Sequence, residues 1–441
     1  MGIAFLSNYF FLSEKKALVN GAKNSIIIDL KASKIYRVNS SARRIIELGE
    51  QGSKVAEVAK KQCFDLDGED VYSFIKEIAD LGLIRISARP KTSSPKEDRL
   101  PKLDFLWIEV SSRCNLRCVH CYAESKAGAE DEAEQPNDLS NEEIRKVIDE
   151  AAALGCRRLQ LTGGEPMLRS DIKSLVEYAK TKGFEFIEVF TNGTLLTEPV
   201  VKFFADKGVN VAMSIYSYRG DTHDAITRVH GSFGRTLNSL KLLLAYKVPT
   251  RCAIVAMKQN EDDLNGTSYF LSKLGVLFRP PDPIRPSGRG TNLKNWPQTY
   301  GQLFMQTQPS FLTSEEAYER NSQWNSCWLG KATVTSCGNV MPCVFARDLV
   351  VGNIKQQGMA EIIEGPAMLS YWGLTRDQVE VCKDCEFRYV CEDCRPWAYG
   401  FTGNLYAKSP RCTYDPYTGK WAGATEAKSQ ASECVGTPTL K

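Results

Sequence analysis

Cys114-Asn-Leu-Arg-Cys118-Val-His-Cys121, with Tyr122 directly after it, is the stretch from which the rest of the chain can be read. Three thiols at a Cys-x3-Cys-x2-Cys spacing in one irregular loop can take three corners of a cubic iron–sulfur cluster. The remaining corner then has no protein ligand, and an open position on a metal is where chemistry, rather than electron storage, takes place. The apolar run Phe105-Leu-Trp-Ile-Glu-Val110 just before the loop reads as a buried strand. The thiols therefore sit at a strand's carboxyl end, where α/β enzymes place their catalytic loops.

Composition narrows the setting. The chain has 441 residues, enough for several domains, and a formal net charge of +3, which demands neither a nucleic acid nor an anionic membrane as partner. No apolar run reaches membrane-spanning length, and Met1 to Leu12 lack the basic start and cleavage site of a signal peptide. Fifteen cysteines in a large chain of this kind point to metal rather than to disulfides, and to a reducing, cytoplasmic home.

From Leu103 to about Pro281 strands and helices alternate. Ser140 and Glu143 form a capping box, and Ile144, Val147, Ile148 and Ala151 trace one helical face. Strand Arg158–Thr162 leads to a helix with Ile172, Leu175, Val176 and Ala179 on one side. Strand Phe184–Phe190, a helix around Val201–Lys207 and strand Asn210–Ile215 continue the pattern. A helix through Leu237, Leu240 and Leu244, strand Cys252–Ala256, a helix to Leu274 and strand Val276–Arg279 complete it. Alternation on this scale predicts an α/β fold, a parallel sheet with helices outside, open or closed. Gly163-Gly164-Glu165-Pro166 ends the second of these strands. Two glycines let backbone approach a ligand closely, and a carboxylate can face an ammonium group, although the motif by itself is also an ordinary turn.

The cysteine triad, its strand, His120 and the Gly-Gly-Glu-Pro one strand later resemble the signature of the radical S-adenosylmethionine (radical SAM) superfamily. The resemblance implies a partial (β/α)6 TIM-type barrel, with a 4Fe–4S cluster on Cys114, Cys118 and Cys121. It implies S-adenosyl-L-methionine on the open iron, its methionine end at Gly163, Gly164 and Glu165. Softer matches are Asn192, in Thr191-Asn-Gly-Thr194, and Ser214, for the ribose and carboxylate, Arg228 for the carboxylate, and His120 against the adenine. Each of the four also suits a cap, surface or packing role. His223 and His230 have no ligand-like spacing, and no general base stands out. A low-potential electron donor such as ferredoxin or flavodoxin is implied as a partner.

Beyond Pro283-Ile-Arg-Pro-Ser-Gly-Arg-Gly290 the periodicity weakens and cysteines take over: Cys327, Cys337, Cys343, then Cys382-x2-Cys385-x5-Cys391-x2-Cys394, and Cys412. Two Cys-x2-Cys pairs could hold zinc, yet more thiols are present than one zinc uses. The array, with Val351-Gly-Asn-Ile354, resembles the SPASM domain and implies two auxiliary 4Fe–4S clusters, three in all. Carried over by position, Cys382, Cys385, Cys391 and Cys412 hold an outer cluster; Cys327, Cys343 and Cys394 hold an inner one. The last pair is spaced x2 where that family has x3. The fourth inner ligand found in some members is absent from Asn321-Ser-Gln-Trp-Asn-Ser326. Either Cys337 closes the inner cluster or one iron stays open for a substrate thiolate, with the open site preferred. Cys63, Cys156 and Cys252 are expected in cores and Cys434 as a free thiol.

Residues 1–88 read as a winged-helix-like unit. Strands Ser25–Leu30 and Lys34–Val38 precede helices Ser40–Leu48, Ser53–Lys61 and Gly68–Leu81 and a strand Leu83–Ser87. Acidic and basic residues are nearly matched, unlike a DNA-reading surface. Ahead of such a barrel the unit resembles the recognition domain (RRE) of maturases of ribosomally made peptides (RiPPs), which adds a leader peptide as a strand to a sheet edge. A linker (89–102), the barrel (103–300), the SPASM domain (301–413) and a tail (414–441) follow. The expected function is to install a thioether or carbon–carbon crosslink in a precursor peptide, an open inner cluster favouring the thioether. Removing residues 1–88 should then cost peptide turnover and spare cofactor cleavage. Formylglycine formation on sulfatases fits less well, because Val344 follows Cys343 where those enzymes carry an Asp base. An iron–sulfur winged-helix regulator is the alternative of another class.

Overall fold

The computed structural model describes residues 3–61, 68–91, 101–127, 138–298, 311–392, 394–422 and 439–440. Cys63, Cys434, most of the 89–102 linker and most of the tail lie outside the described residues.

The N-terminal unit begins with α1 (Ile3–Leu6), β1 (Tyr9–Leu12), β2 (Lys16–Asn20), β3 (Ser25–Asp29) and β4 (Lys34–Val38). It continues with α2 (Ser40–Glu50), α3 (Val55–Lys60), α4 (Gly68–Asp80) and β5 (Ile84–Ser87). β2, β3 and β4 form an antiparallel meander, while β5 pairs instead with β1, a short strand absent from the sequence reading, as was β2. The Ser25-Ile-Ile-Ile-Asp29 run of β3 is buried throughout because both sheet faces are covered. Ile27, Tyr36 and Val38 pack on Ile45, Ile46, Phe74 and Ile75 of the unit's own helices. Val19, Ile26 and Ile28 point the other way, onto Phe387, Val390 and Tyr414 of the cysteine-rich region.

The barrel half starts with β6 (Phe105–Glu109) and the short pair β7 (Arg113–Cys114) and β8 (Lys126–Ala127), which brackets the thiol loop. Then follow α5 (Asn141–Ala153), β9 (Arg158–Thr162), α6 (Ile172–Thr181), β10 (Phe186–Phe190), α7 (Glu198–Lys207) and β11 (Asn210–Ser214). Next come α8 (Gly220–Thr227), α9 (Ser232–Ala245), β12 (Thr250–Ala253), β13 (Val255–Ala256), α10 (Leu264–Lys273), β14 (Leu277–Phe278) and β15 (Asp282–Pro283). The expected capping box starts α5: the Ser140 hydroxyl accepts from Glu143 N at 3.2 Å, and Glu143 accepts from Ser140 N at 2.8 Å. The expected single strand 252–256 is split at Ile254, because its carbonyl turns to accept from Asp282 N at 3.1 Å. β12 thus stays in the main sheet while β13 pairs with β15.

Strands β6, β9, β10, β11, β12 and β14 lie parallel in that spatial order, a partial barrel. The sheet does not end at β6. From the cysteine-rich region β16 (Lys331–Val334) adds parallel to β6, and β17 (Asn339–Met341) and β18 (Gly352–Asn353) add antiparallel beyond it. One apolar core therefore runs from Leu159 and Val211 of the barrel to Trp328 and Trp372. A hairpin of β19 (Tyr414–Asp415) and β20 (Lys420–Trp421) closes the C-terminal half, and β21 (Thr439–Leu440) lies parallel to β4.

Candidate active site

The thiol loop hangs from the carboxyl end of β6. Burial, joined by the fields of the other two thiols, pushes Cys118 up to about 12; burial, with Glu165 and Cys121 nearby, does the same to Cys114. The three sulfurs thus lie in one another's field, yet among the described residues no three Cys, His, Asp or Glu side chains converge tightly enough for one ion. Buried thiols of this kind ionise only when cationic metal sits among them, so the donor set fits a multi-iron group. Tyr216, two residues past β11, lies in the field of Cys118, Cys121 and Cys114, and burial raises its pKa well above the ordinary value.

Gly163 and Gly164 explain how the loop is held. A Cβ on Gly163 (φ +135°) would lie 2.4 Å from Ser111 O, and one on Gly164 would lie 2.0 Å from Arg113 O. Without side chains, this turn packs directly on the backbone entering the loop, Gly164 N donating to Ser111 O and Glu165 N to Arg113 O, both at 2.8 Å. Glu165 is fully buried and accepts from Thr191 Oγ1 (2.5 Å), Asn192 N (2.7 Å) and Met167 N (3.0 Å). A carboxylate has about four acceptor positions, so one remains for an incoming ammonium. Desolvation pushes its pKa up to about 7.

The structure brings some softer candidates to the loop and leaves others aside. Asn192 reaches Cys114 Sγ at 3.9 Å and Asn115 Oδ1 at 2.8 Å, tying the end of β10 to the thiols. His120 packs edge-on against Tyr216, with ring centroids 4.8 Å apart. Burial pushes His120 down to about 4, and its Nδ1 is buried with no hydrogen-bond partner among the described residues. A neutral ring with an unused nitrogen can meet a ligand's polar edge. Ser214 ends β11, half-buried, two residues before Tyr216. Arg228 is exposed, in the left-handed region (φ +57°) at the end of α8, whose Thr227 and Ile226 carbonyls accept from Arg117 and Val119 of the loop at 3.0 Å. His223 is buried, with Tyr216 N donating to its Nδ1 at 3.3 Å, and His230 is exposed.

The C-terminal cysteines separate into two groups. Cys343 is pushed up to about 12 by burial and by Cys327 and Cys394 beside it. Cys385 is raised by burial, with Glu386, Cys391 and Cys382 adding to the shift. Cys391 and Cys412 pack with Cys385 on Phe387 and Tyr414. Cys337 stands on the exposed β16–β17 turn, its Sγ 3.3 Å from Thr335 Oγ1. Cys156 and Cys252 are buried in the barrel core.

Sequence reasoning missed the clamps around these groups. Glu109, buried on β6, pairs with Arg347, four residues after Cys343, linking the barrel to the cysteine-rich region. Arg289 holds the thiol loop: its Nε donates to Cys118 O at 3.0 Å, its Nη1 to Ser125 O at 3.3 Å and its backbone N to Cys121 O at 3.0 Å. The available signal was the glycine pair 288 and 290. Gly288 (φ +54°) lets its backbone lie on Tyr122 O, where a Cβ would come within 2.4 Å.

Residues 108–270 match the radical SAM superfamily, and residues 327–386 match the SPASM iron–sulfur cluster-binding domain. The chain is a radical SAM enzyme carrying a SPASM domain; it binds S-adenosylmethionine and a 4Fe–4S cluster in the first and additional iron–sulfur clusters in the second. The AdoMet-dependent heme synthase of Methanosarcina barkeri is 28% identical over 343 residues, 70% of this chain and 95% of that protein. The antilisterial bacteriocin subtilosin biosynthesis protein AlbA of Bacillus subtilis is 26% identical over 392 residues, 82% of this chain and 85% of that protein. The structure of Streptococcus suis SuiB bound to S-adenosylmethionine superimposes with a TM-score of 0.53 at 14% identity, covering 91% of this chain and 98% of that one. SuiB bound to precursor peptide SuiA gives 0.52 with the same coverage. At such identity the likeness shows the fold alone. Among the described residues no helix is long and apolar enough to cross a membrane.

Proposed function

We propose that this enzyme is a maturase of a ribosomally made peptide, which holds the leader through residues 1–88 and installs an intramolecular thioether. The observation that carries this reading is the N-terminal unit and its placement. Its sheet is built into the cysteine-rich region through Val19, Ile26 and Ile28, and the outer edge of β4 already accepts an extended segment, Thr439–Leu440 opposite Arg37 and Val38. An edge that takes one strand is a template for another. Similarity to AlbA and the fold likeness to SuiB extend over 82% and 91% of the chain; AlbA is named for the biosynthesis of a bacteriocin, and SuiB is seen bound to a precursor peptide. The heme synthase of Methanosarcina barkeri matches a smaller share of this chain, 70% against 82% for AlbA.

In this reading Cys114, Cys118 and Cys121 hold the first cluster, Cys382, Cys385, Cys391 and Cys412 the outer one, and Cys327, Cys343 and Cys394 the inner one. When bound, the first cluster and S-adenosylmethionine would supply the radical chemistry that takes a hydrogen atom from the peptide. Glu165 would face the cofactor's ammonium, and His120 would offer its uncharged ring to the adenine. Arg289 and Asn192 keep the thiol loop in place, which matters because positioning supplies most of the selectivity of a radical step. The exposed place of Cys337 favours an inner cluster with three protein thiolates, leaving room for a substrate thiolate. The electron-donor partner would be of ferredoxin or flavodoxin type. The test is anaerobic turnover of the candidate precursor with dithionite and cofactor: loss of two hydrogens, with a thioether located by tandem mass spectrometry. A peptide that returns unmodified while a heme precursor is converted would reverse the reading.

A further inference from the structure

The loop that follows β15 touches two groups of cysteines. At its far end Arg289 clamps the carbonyls of Cys118 and Ser125. Four residues earlier, Arg285 lies in the field of Cys394, Cys343 and Cys327. Its flanks are built from the neighbours of those thiols, the guanidinium carbon standing 5.6 Å from the Phe345 ring centroid and 5.9 Å from that of Trp397. Asp282 pairs with Arg285 at 2.5 Å and with Arg411 at 3.3 Å, so Arg285 shares its carboxylate with a second guanidinium. Nη1 of Arg285 is buried and has no hydrogen-bond partner among the described residues. The main chain here is rigidly tied: Ser287 N donates to Arg285 O at 2.8 Å, and a Cβ on Gly290 would lie 2.1 Å from that same oxygen.

We propose that Arg285 is a positioning residue of the inner auxiliary centre, whose buried guanidinium and unpartnered Nη1 donor make that centre the easier one to reduce. This rests on the inner-cluster reading above. A cluster gains negative charge on reduction, so a fixed cation and a donor to its sulfurs stabilise the reduced form and raise the potential. The electron left on a substrate radical when its new bond forms then has an acceptor next to the site. As the carbon–sulfur bond forms, the S–H bond of the substrate thiol is lost, its proton passing to water and the electron to the inner centre, while the hydrogen atom has already gone to 5′-deoxyadenosine.

The experiment is an EPR-monitored redox titration of the anaerobically reconstituted full-length chain, with Cys114, Cys118 and Cys121 replaced by Ala to isolate the C-terminal signals. Arg285→Met should shift the inner centre's reduction equilibrium at least tenfold toward the oxidised form, about 59 mV for one electron. The outer centre should not move, and Arg285→Lys should restore most of the shift. An inner potential within threefold of the parent in Arg285→Met, or equal shifts in the Met and Lys variants, overturns the proposal. Should Arg285→Met lose the inner iron, the Lys variant decides: iron and potential both kept support the role of charge, and iron lost again overturns it. A parent showing the outer centre alone overturns the inner-cluster reading together with this one; a parent with two C-terminal centres and unmoved variants overturns this one alone.

Discussion

Glu165 Oε2 accepts the backbone N–H of Asn192 at 2.7 Å, so one buried carboxylate joins the end of the second barrel strand to the end of the third. Burial leaves that carboxyl half-ionised near neutrality, at about 7 instead of the ordinary 4.5. Only the ionised form attracts an ammonium. S-adenosylmethionine affinity should therefore fall as pH drops below about 7, approaching tenfold per unit. The cofactor-free chain should respond in the opposite sense. A carboxyl whose folded pKa is raised contributes stability below pH 4.5 that is lost as pH rises through 7. Binding isotherms and melting curves from pH 5 to 8, for the parent and Glu165→Gln, check both, since the Gln variant should flatten each profile.

Gly164→Ala should loosen the thiol loop. Its Cβ would lie 2.0 Å from Arg113 O, a backbone atom that cannot swing away. A loss of roughly 3 kcal/mol is expected from the overpacking. Denaturant titration would show it, and the first cluster's iron should drop with it.

Replacing Cys114, Cys118 and Cys121 by Ala should lower iron from about twelve to about eight per chain and abolish 5′-deoxyadenosine formation. Cleavage retained in that variant would remove the assignment of the first site.

Cys337→Ala should leave the iron content near that of the parent, because its thiol stands on an exposed turn beside Thr335. A loss of about four irons would instead make Cys337 a ligand and favour the carbon–carbon bond.

Removing residues 1–88 is a less selective experiment than the sequence suggests. The deletion would strip Val19, Ile26 and Ile28 from Phe387, Val390 and Tyr414, against which Cys385, Cys391 and Cys412 pack. Loss of the outer cluster is expected alongside loss of peptide turnover. A point change, Ile26→Ala, should cost roughly 2–4 kcal/mol as a core cavity. Iron analysis of both variants separates this coupling from a purely peptide-binding role.

Local pattern decided much of the molecule. The spacing of Cys114, Cys118 and Cys121, the Ser140–Glu143 cap and the helical faces of α5 and α6 depend on residues a few positions apart, which a sequence displays directly. Tertiary structure decided what depends on distant partners. It split the 252–256 strand through a carbonyl claimed by Asp282, and paired β5 with β1 across more than seventy residues. It gave the glycines of Gly-Gly-Glu-Pro a main-chain neighbour, and set Arg285 and Arg289 of one loop at two separate groups of thiols. An arginine's meaning lies in the charges around it, and those come together only when the chain is folded.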